Sequence, residues 1–504
     1  MSYSLLLVFL LPTLGVPLAY LAGKKSPKAA AILVASIALA NIALVLTTVP
    51  AILNNANHRY VESYYWIPML QSEFTLFADG ISASMAIVTS ILILVASLYS
   101  INYMQGKKNL AVYYALLSLL SIGLVGVFIT SNLLLFYFCW ELMLVPAYFI
   151  IGGWGYREPY RAAFKFFVFT HAGAVFVLLG VGAIYMVTGV TDMFQAQAAL
   201  MAFPDVARWI LLALTGGFAV KMAVVPVHMW LPDAHSEAPS SMSALLSGVI
   251  ISAGAYAILR LSLGTVFPSI AGTTFGIDFL HGLAVFGVIA AFFGSFIALV
   301  ENDIKRVIAY SSIAHMGYVL FGLSLFPSAA PLIAGTVVIT SAITGTVLHL
   351  ISHAVSKGLF FLTAGSVMHQ TEERDIREMG GLAGKMQFTA VSSAISALSI
   401  AGAPPFACFI SEFLIFVGAF EVISTDGFYL LPTALMLVAT VLSLAYSLRY
   451  ISRVFLGQAK KEEKSIVDVP IWMKLAMAIL VLLVIILGIY PTFFVNLINT
   501  VSLV

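Results

Sequence analysis

Two ionisable side chains stand inside strongly apolar stretches of this sequence, where a charge is costly. Glu141 lies in NLLLFYFCWELMLVPAYFIIGG, and Lys221 lies in TGGFAVKMAVVPVHMW, shortly before Pro226. A lysine at the centre of a membrane segment costs about 2.5–3.5 kcal/mol on insertion scales, so such a residue usually has a function. A nearby carboxylate favours the charged lysine, whereas burial favours the neutral one. Movement of Glu141 would therefore make Lys221 bind or release a proton, unless the lysine merely snorkels or forms a structural ion pair.

A second group of ionisable residues follows a helical spacing. His349, His353 and Lys357 stand four residues apart in GTVLHLISHAVSKGLFFLTAG. On a helix they share one face over about 12 Å, which suits a proton relay. His315 in YSSIAHMGYVLFG and Glu412 in SIAGAPPFACFISEFLIFVGAF extend the set. Any single histidine could instead make only a hydrogen bond between helices. The predicted proton path comprises Glu141, Lys221, His315, His349, His353, Lys357 and Glu412.

Polar residues beside the first proline break form a secondary set. His228 precedes the motif LPDAHSEAPSSMSALLSG, which contains Asp233, His235 and Glu237. The residues of this motif could cap helix ends or accept protons at the surface, and the sequence leaves both interpretations open. The next apolar stretch, SALLSGVIISAGAYAILRL, has no titratable group before its arginine. There, Ser247 and Ser252 are the candidates for a link through water.

Composition limits the class of protein. The 504 residues are 61% hydrophobic and only 9% charged, whereas soluble domains carry about 25% charged residues. The chain is therefore a polytopic membrane protein, and its net charge of +2 gives no indication of nucleic-acid binding. Cys139 and Cys408 have neither disulfide nor metal spacing. Because the sequence also lacks GxGxxG, CxxC and P-loop motifs, we expect no cofactor, metal or redox chemistry in this chain.

Apolar windows of about 20 residues predict fourteen transmembrane helices. The seventh and twelfth are interrupted by prolines, which predicts discontinuous helices of the kind that transporters use. The predicted spans are 3–22, 29–49, 78–101, 111–129, 131–151, 162–187, 206–232, 241–263, 280–300, 306–325, 331–367, 386–420, 430–451 and 471–498.

The order of these spans predicts an all-α fold with two inverted repeats. Spans four to eight and nine to thirteen are five helices each, so the second unit must be inverted, and each has its broken helix in fourth place. The chain is then one membrane domain, 1–504, with four parts. These are the first three helices (1–110), the two repeats (111–264 and 280–455), and a C-terminal loop and last helix (456–504).

Basic residues are unevenly distributed between the connecting loops. Nineteen of the 24 Lys and Arg residues follow odd-numbered spans or begin the next one, and three lie on the opposite side. Since basic loops face the cytoplasm, this bias predicts that both termini lie outside. A multi-pass protein of the plasma membrane is expected.

Six stretches within 78–455 carry a resemblance to a known family. They are FYFCWELMLVP, KMAVVPVHMWLPDAHSEAPS, ENDIKRVIAYSSIAHMGYV, HLISHAVSKGLFFLTAGSV, RDIREMGGL and GAPPFACFISEF. Together they resemble the antiporter-like subunits of the complex I superfamily. This superfamily includes NADH:quinone oxidoreductase, energy-converting membrane-bound hydrogenases and Mrp sodium/proton antiporters. The resemblance implies fourteen helices, two inverted repeats and broken seventh and twelfth helices.

The resemblance also implies residue roles. Glu141 matches the essential glutamate, Lys221 its lysine partner, and the histidines the central polar axis. Glu412 is similar to the residue of the M-type subunit, whereas Lys357 is similar to the hydrogenase and L-type pattern. The family usually has a lysine or histidine midway along the eighth helix. Its absence here implies that serines and water provide the link, or that this subunit conducts differently or not at all.

Residues and resemblance together predict a proton-translocating, antiporter-like membrane subunit of a redox-driven ion pump. Its expected partners are sister antiporter-like membrane subunits, the lipid bilayer and a peripheral redox arm with iron–sulfur clusters. The transported ion is expected to be H⁺, or Na⁺ against H⁺. Three alternatives remain: an Mrp-type Na⁺/H⁺ antiporter subunit, a stand-alone secondary transporter for an organic solute, and a structural membrane anchor.

Overall fold

The chain folds into a bundle of long apolar helices. A computed structural model describes residues 3–55, 57–327, 340–458 and 466–501. Within these residues, twelve helices are long and apolar enough to cross a membrane. Helices dominate because every backbone N–H and C=O in hydrocarbon must find its partner inside the protein. The prediction of a helical, multi-pass membrane protein is therefore confirmed.

The helices, with the one pair of strands, have the following bounds in chain order. They are α1 Ser4–Lys25, α2 Pro27–Asn54, β1 Tyr60–Ile67, β2 Ser72–Ala78, α3 Gly80–Tyr103, α4 Leu110–Ile129, α5 Leu133–Leu142, α6 Leu144–Trp154, α7 Pro159–Thr188, α8 Met193–Leu200, α9 Pro204–Met222, α10 Leu231–Glu237, α11 Ser240–Leu245, α12 Ile251–Ala257, α13 Thr274–Val300, α14 Ile304–Ser324, α15 Ser341–Thr371, α16 Gln387–Ile400, α17 Ala407–Ile423, α18 Leu430–Phe455, α19 Ile471–Ile489 and α20 Thr492–Asn499. Helices α5 and α6 form one span, Leu133–Trp154.

Helices α11 and α12 belong to one continuous rod, Ser240–Ile270, which is buried along its length. Two π-helical stretches, Leu246–Ile250 and Ile258–Val266, interrupt its α-helical geometry. Single π turns inside helices are uncommon and often occur at functional sites. The rod is the predicted eighth helix.

Both predicted interruptions are present. Helix α9 ends at Met222, one residue after Lys221, and α10 begins only at Leu231. Helix α16 ends at Ile400 and α17 begins at Ala407, with two prolines between them. Proline lacks a backbone N–H and clashes with the preceding turn, which accounts for both breaks. The count of fourteen crossings, the inverted repeats and the four-part division remain predictions.

A β hairpin replaces part of the polar connector expected between the second and third helices. Strands β1 and β2 pair antiparallel, from Tyr60 opposite Ala78 to Ile67 opposite Ser72. The carboxylate of Glu62 on β1 accepts hydrogen bonds from the backbone N–H groups of Leu5 and Leu6, 3.0 and 2.9 Å away. The hairpin therefore caps α1, and it marks what we call the hairpin side of the bundle.

Of two further predicted spans, one lies partly outside the described residues and the other is divided in two. Part of the span at 331–367 lies outside the described residues, and the helix seen there is α15, which begins at Ser341. The last predicted span, 471–498, is divided into α19 and the short α20 because Pro491 follows directly on Tyr490.

Candidate functional site

Lys221 lies in the last turn of α9, beside the first helix break. Its Nζ donates a hydrogen bond to the backbone oxygen of Trp140, 2.9 Å away, and lies 4.0 Å from the centroid of the Trp140 ring. The side chain is buried, with 2% of the residue exposed. A carbonyl dipole and a ring face both attract an ammonium without carrying a full charge. Lys221 is thus held at a site where a proton can be bound without a bonded carboxylate.

Glu141 is the next residue after Trp140, but its carboxylate points to a different helix. Its Oε2 lies 3.3 Å from Nδ1 of His171 on α7. Its Oε1 is buried without a hydrogen-bond partner among the described residues. Both residues lie within the described ranges, and no ion pair joins Glu141 to Lys221. The two residues of the predicted pair are therefore not in direct contact, and Lys221 instead binds the residue that precedes Glu141.

His171 was missed by the sequence reasoning. It stands in the apolar stretch FKFFVFTHAGAVFVLL, so an ionisable residue within a predicted span was the available signal. The side chain of His171 is 50% exposed and that of Glu141 is 25% exposed, on the lateral face of the isolated chain. A titratable pair at this depth is costly in lipid, which makes it a functional candidate.

The column on α15 is buried throughout. Lys357 donates from Nζ to the hydroxyl of Ser311 and to the backbone oxygen of Ile308, both on α14. His353 and His235 are fully buried, and in the described structure neither ring has a hydrogen-bond partner on either nitrogen. Buried polar groups without protein partners are usually satisfied by internal water.

His315, His349 and Glu412 form a compact cluster that joins three helices. Nδ1 of His315 lies 3.1 Å from Nε2 of His349, and Nδ1 of His349 lies 2.9 Å from Oγ of Ser411. Oε1 of Glu412 lies 3.9 Å from Nδ1 of His315. The hydroxyl of Tyr446 reaches the other nitrogen of His315 at 3.3 Å. Neutral imidazoles both donate and accept, so this arrangement can pass a proton from α14 to α17.

The same three side chains have the composition of a metal site. One ligand atom each from His315, His349 and Glu412 lies within 4.8 Å of the others. Two histidines and a carboxylate suit a transition-metal ion. The 3.1 Å contact between the two rings is also the length of an ordinary N–H···N hydrogen bond. A hydrogen bond between the two rings accounts for this contact with the residues present alone.

The two serines of the eighth helix differ in their contacts. Oγ of Ser247 lies 2.9 Å from Oγ of Ser312 on α14, so it connects the rod to the second half of the bundle. Oγ of Ser252 donates back to Gly248 on its own helix, at 2.9 Å. Both serines are fully buried. The hydrogen bond of Ser247 therefore crosses to the other half, whereas that of Ser252 stays within its own helix.

Asp233 belongs to a network of ion pairs at the end of the bundle opposite the hairpin, which we call the basic-loop side. It accepts hydrogen bonds from Lys165 at 2.7 Å and Arg306 at 2.8 Å. Burial alone would raise the pKa of Asp233, but these two cations outweigh it and hold the pKa below its usual value. A carboxylate held ionised in this way joins helices through its ion pairs and is poorly suited to accept a proton.

Glu237 and His228 complete the secondary set. Glu237 pairs with Arg374 at 3.2 Å and accepts hydrogen bonds from the backbone N–H groups of Arg157 and Glu158. The ring of His228 packs edge-on against Phe293 at 4.7 Å. Glu237 therefore favours the capping interpretation, and His228 is a packed residue beside the break.

A helical membrane bundle with two interrupted helices and a buried column of titratable side chains defines the class of ion-translocating membrane proteins. Comparisons with known proteins narrow this class. Residues 130–443 match the family model described as NADH:quinone oxidoreductase/Mrp antiporter, TM. The chain belongs to this family.

Curated relatives agree with the family match. The chain is 33% identical to NADH-quinone oxidoreductase subunit M of Rickettsia conorii over 88% of this chain and 85% of that protein. It is 31% identical to subunit M of Escherichia coli K12 over 84% of this chain and 81% of that protein.

Solved structures share the fold. A chain of the archaeal membrane-bound sulfane sulfur reductase aligns with a TM-score of 0.85 and 26% identity, covering 98% of this chain and 77% of that one. A chain of respiratory complex I from Thermus thermophilus aligns with a TM-score of 0.81 and 23% identity, covering 98% and 97%. A chain of the Mrp complex from Dietzia sp. aligns with a TM-score of 0.82 and 22% identity, covering 99% and 97%.

Proposed function

We propose that this chain is a proton-translocating, antiporter-like membrane subunit of a redox-driven ion pump of the complex I type. The observation that carries the proposal is the succession of buried titratable groups at the two helix breaks and between them. Lys221 stands at the first break, Lys357 and the histidine cluster follow, and Glu412 stands beyond the second break. Such groups are rare inside membrane proteins and mark ion pathways.

The proposed path passes a proton between the two halves of the bundle. Lys221 exchanges its proton with internal water, and Ser247 and Ser312 offer a bridge from the eighth helix to α14. On α14, Ser311 is bonded to Lys357. From there the His315–His349 pair leads to Glu412. His171 contacts Glu141, which places a carboxylate one residue from the Trp140 carbonyl that binds Lys221, and a nearby carboxylate favours a charged lysine.

The proposed setting is a multi-subunit complex in the plasma membrane, with basic loops in the cytoplasm and both termini outside. Sister antiporter-like subunits would cover the lateral face that exposes Glu141 and His171. A peripheral arm with iron–sulfur clusters would supply the redox reaction, because we assign no redox chemistry to this chain. The M-type relatives support this setting more than a stand-alone solute transporter.

A test of the proposal compares two variants in the assembled complex. Lys221→Ala and Glu141→Gln should each abolish proton uptake by membrane vesicles during electron transfer, while the purified complex keeps all its subunits. Lys107→Ala and Glu158→Gln change the same residue types outside the predicted spans and serve as matched controls. Normal proton uptake in Lys221→Ala would contradict the proposal and favour the structural membrane anchor.

Sodium is the second candidate for the transported ion, because the chain has the same fold as a chain of the Mrp complex. Proton uptake measured with and without Na⁺ separates the two ions. A pump of protons alone works at the same rate in nominally sodium-free buffer, whereas a sodium/proton antiporter slows as Na⁺ is removed.

A further inference from the structure

A cavity of about 630 Å³ lies at the hairpin side, and two aromatic rings and an arginine are among its mostly polar lining residues. Arg59, Phe77, Asp192 and Phe194 are among its lining residues. The guanidinium of Arg59 lies 3.8 Å from the centroid of the Phe194 ring, and that ring meets Phe77 edge-on at 5.3 Å. Phe77 is fully buried although it borders the cavity. Its ring therefore separates the cavity from the interior of the bundle.

Behind Phe77 the same kind of packing continues into the bundle. The guanidinium of Arg260 lies 5.7 Å from the Phe77 ring and 5.5 Å from the Tyr256 ring. Tyr256 packs edge-on against Phe128, with centroids 4.9 Å apart. We call these six residues the hairpin-side stack: Arg59, Phe194, Phe77, Arg260, Tyr256 and Phe128.

Asp79 is the carboxylate that touches this stack. Its Oδ1 forms an ion pair with Arg260 and also accepts hydrogen bonds from the backbone N–H groups of Ile81 and Ser82, at 3.1 and 2.9 Å. Its Oδ2 is buried and has no hydrogen-bond partner among the residues described. A guanidinium does not give up its proton in a protein, so it cannot relay one through this ion pair. Arg260 thus keeps Asp79 from acting as a proton carrier.

Arg260 lies between the cavity and the level of Lys221. Gly254 packs directly against the backbone of Phe218 and Met222, next to Lys221 on α9. Arg260 follows Gly254 by six residues on the same helical rod, which corresponds to a rise of about 9 Å. A proton in the cavity would cross this layer toward Lys221 if the stack were wet, or if Asp79 were free to relay it.

We infer that the hairpin-side stack is a proton seal, which keeps protons in the hairpin-side cavity from reaching Lys221. The aromatic rings exclude water from the gap, and Arg260 occupies the carboxylate that would otherwise relay a proton. A fixed arginine is a known way to exclude protons from a pore. The inference rests on the proposed function, because a seal matters only if Lys221 exchanges protons.

The test is the passive proton leak of vesicles that contain the assembled complex, without any electron donor. An external acid jump is applied with K⁺ and valinomycin present to balance charge, and a trapped pH dye reports the interior. Arg260→Gln frees Asp79 as a proton acceptor and should raise the leak by about tenfold or more. The double variant Arg260→Gln with Asp79→Asn removes that acceptor and should return the leak to the wild-type rate.

Phe77→Ala tests the seal without disturbing the ion pair, and it decides the outcome if Arg260→Gln fails to assemble. It should also raise the leak, because water can then pass the place of the ring and carry protons without Asp79. Wild-type leak rates in every variant that assembles would overturn the seal, and a leak that persists in the Asp79→Asn double variant would overturn the role of Asp79.

Lys221→Ala added to Arg260→Gln separates the seal from the proposed function. If the added Lys221→Ala abolishes the leak that Arg260→Gln causes, both the seal and the proton exchange at Lys221 are supported. A leak that persists supports the seal and contradicts Lys221 as the proton-exchanging group.

Discussion

Lys221 donates its hydrogen bond to the backbone oxygen of Trp140, 2.9 Å away, while the carboxylate of the next residue, Glu141, lies 3.3 Å from a ring nitrogen of His171. The ammonium and the carboxylate therefore have separate partners and do not bond to each other. A bonded pair would hold its proton, since each charge favours the other. An unbonded lysine with a nearby carboxylate can gain or lose a proton when the carboxylate changes its own state.

The contact of His171 with Glu141 should contribute to proton uptake. His171→Gln removes the ionisable ring but keeps a polar side chain, and proton uptake should fall by about fivefold, the cost of one hydrogen bond. The measurement is electron-transfer-driven proton uptake in vesicles. His369→Gln, at another half-buried histidine on α15, is the matched control and should have no effect. Equal uptake in both variants would show that Glu141 works without its histidine.

Ser411 should orient the ring of His349. Ser411→Ala removes the 2.9 Å contact to Nδ1 and leaves His315 and Glu412 in place. Without that partner the ring can change its tautomer or turn, so proton uptake should fall by about fivefold. Ser396→Ala removes a buried hydroxyl that bonds only within its own helix, at 2.9 Å, and should leave uptake unchanged. Ser411→Thr, which retains the hydroxyl, should restore the rate, and failure to do so would point to a packing effect.

Ser247 and Ser252 offer an internal comparison on the eighth helix. Ser247→Ala breaks the contact to Ser312, whereas Ser252→Ala removes a bond within the same helix. Proton uptake should drop by about three- to tenfold in the first variant and stay near wild type in the second. The opposite ranking would mean that the link between the halves runs elsewhere.

Asp233 should make the basic-loop side sensitive to acid. Its pKa in the folded chain lies below the usual 3.8, so the ion pairs with Lys165 and Arg306 are complete above that pH. They are lost as the pH falls through the lowered value, and stability is lost with them. The thermal midpoint of the solubilised complex should therefore fall at acid pH, with a shallower fall in Asp233→Asn. Asp205→Asn changes an exposed carboxylate and should keep the wild-type profile.

The positions of the helix breaks could be predicted, because proline and apolar runs are local features of the sequence. Pro226 and Pro404 marked them, and the described helices end before these prolines. Partners of buried groups could not be predicted in the same way. Whether Lys221 meets Trp140 or Glu141 depends on the rotation of α9 against α5, which hydropathy does not encode. The hairpin was missed because YVESYYWI lacks a clear two-residue alternation of polar and apolar residues.

The central claim is that Lys221 works by exchanging a proton and not by carrying a fixed charge. Lys221→Arg separates the two, because arginine keeps the charge but does not release its proton. The measurement is proton uptake per electron transferred by the assembled complex in vesicles. We expect Lys221→Arg to lose proton uptake as completely as Lys221→Ala does. Uptake at the wild-type ratio in Lys221→Arg would contradict the account.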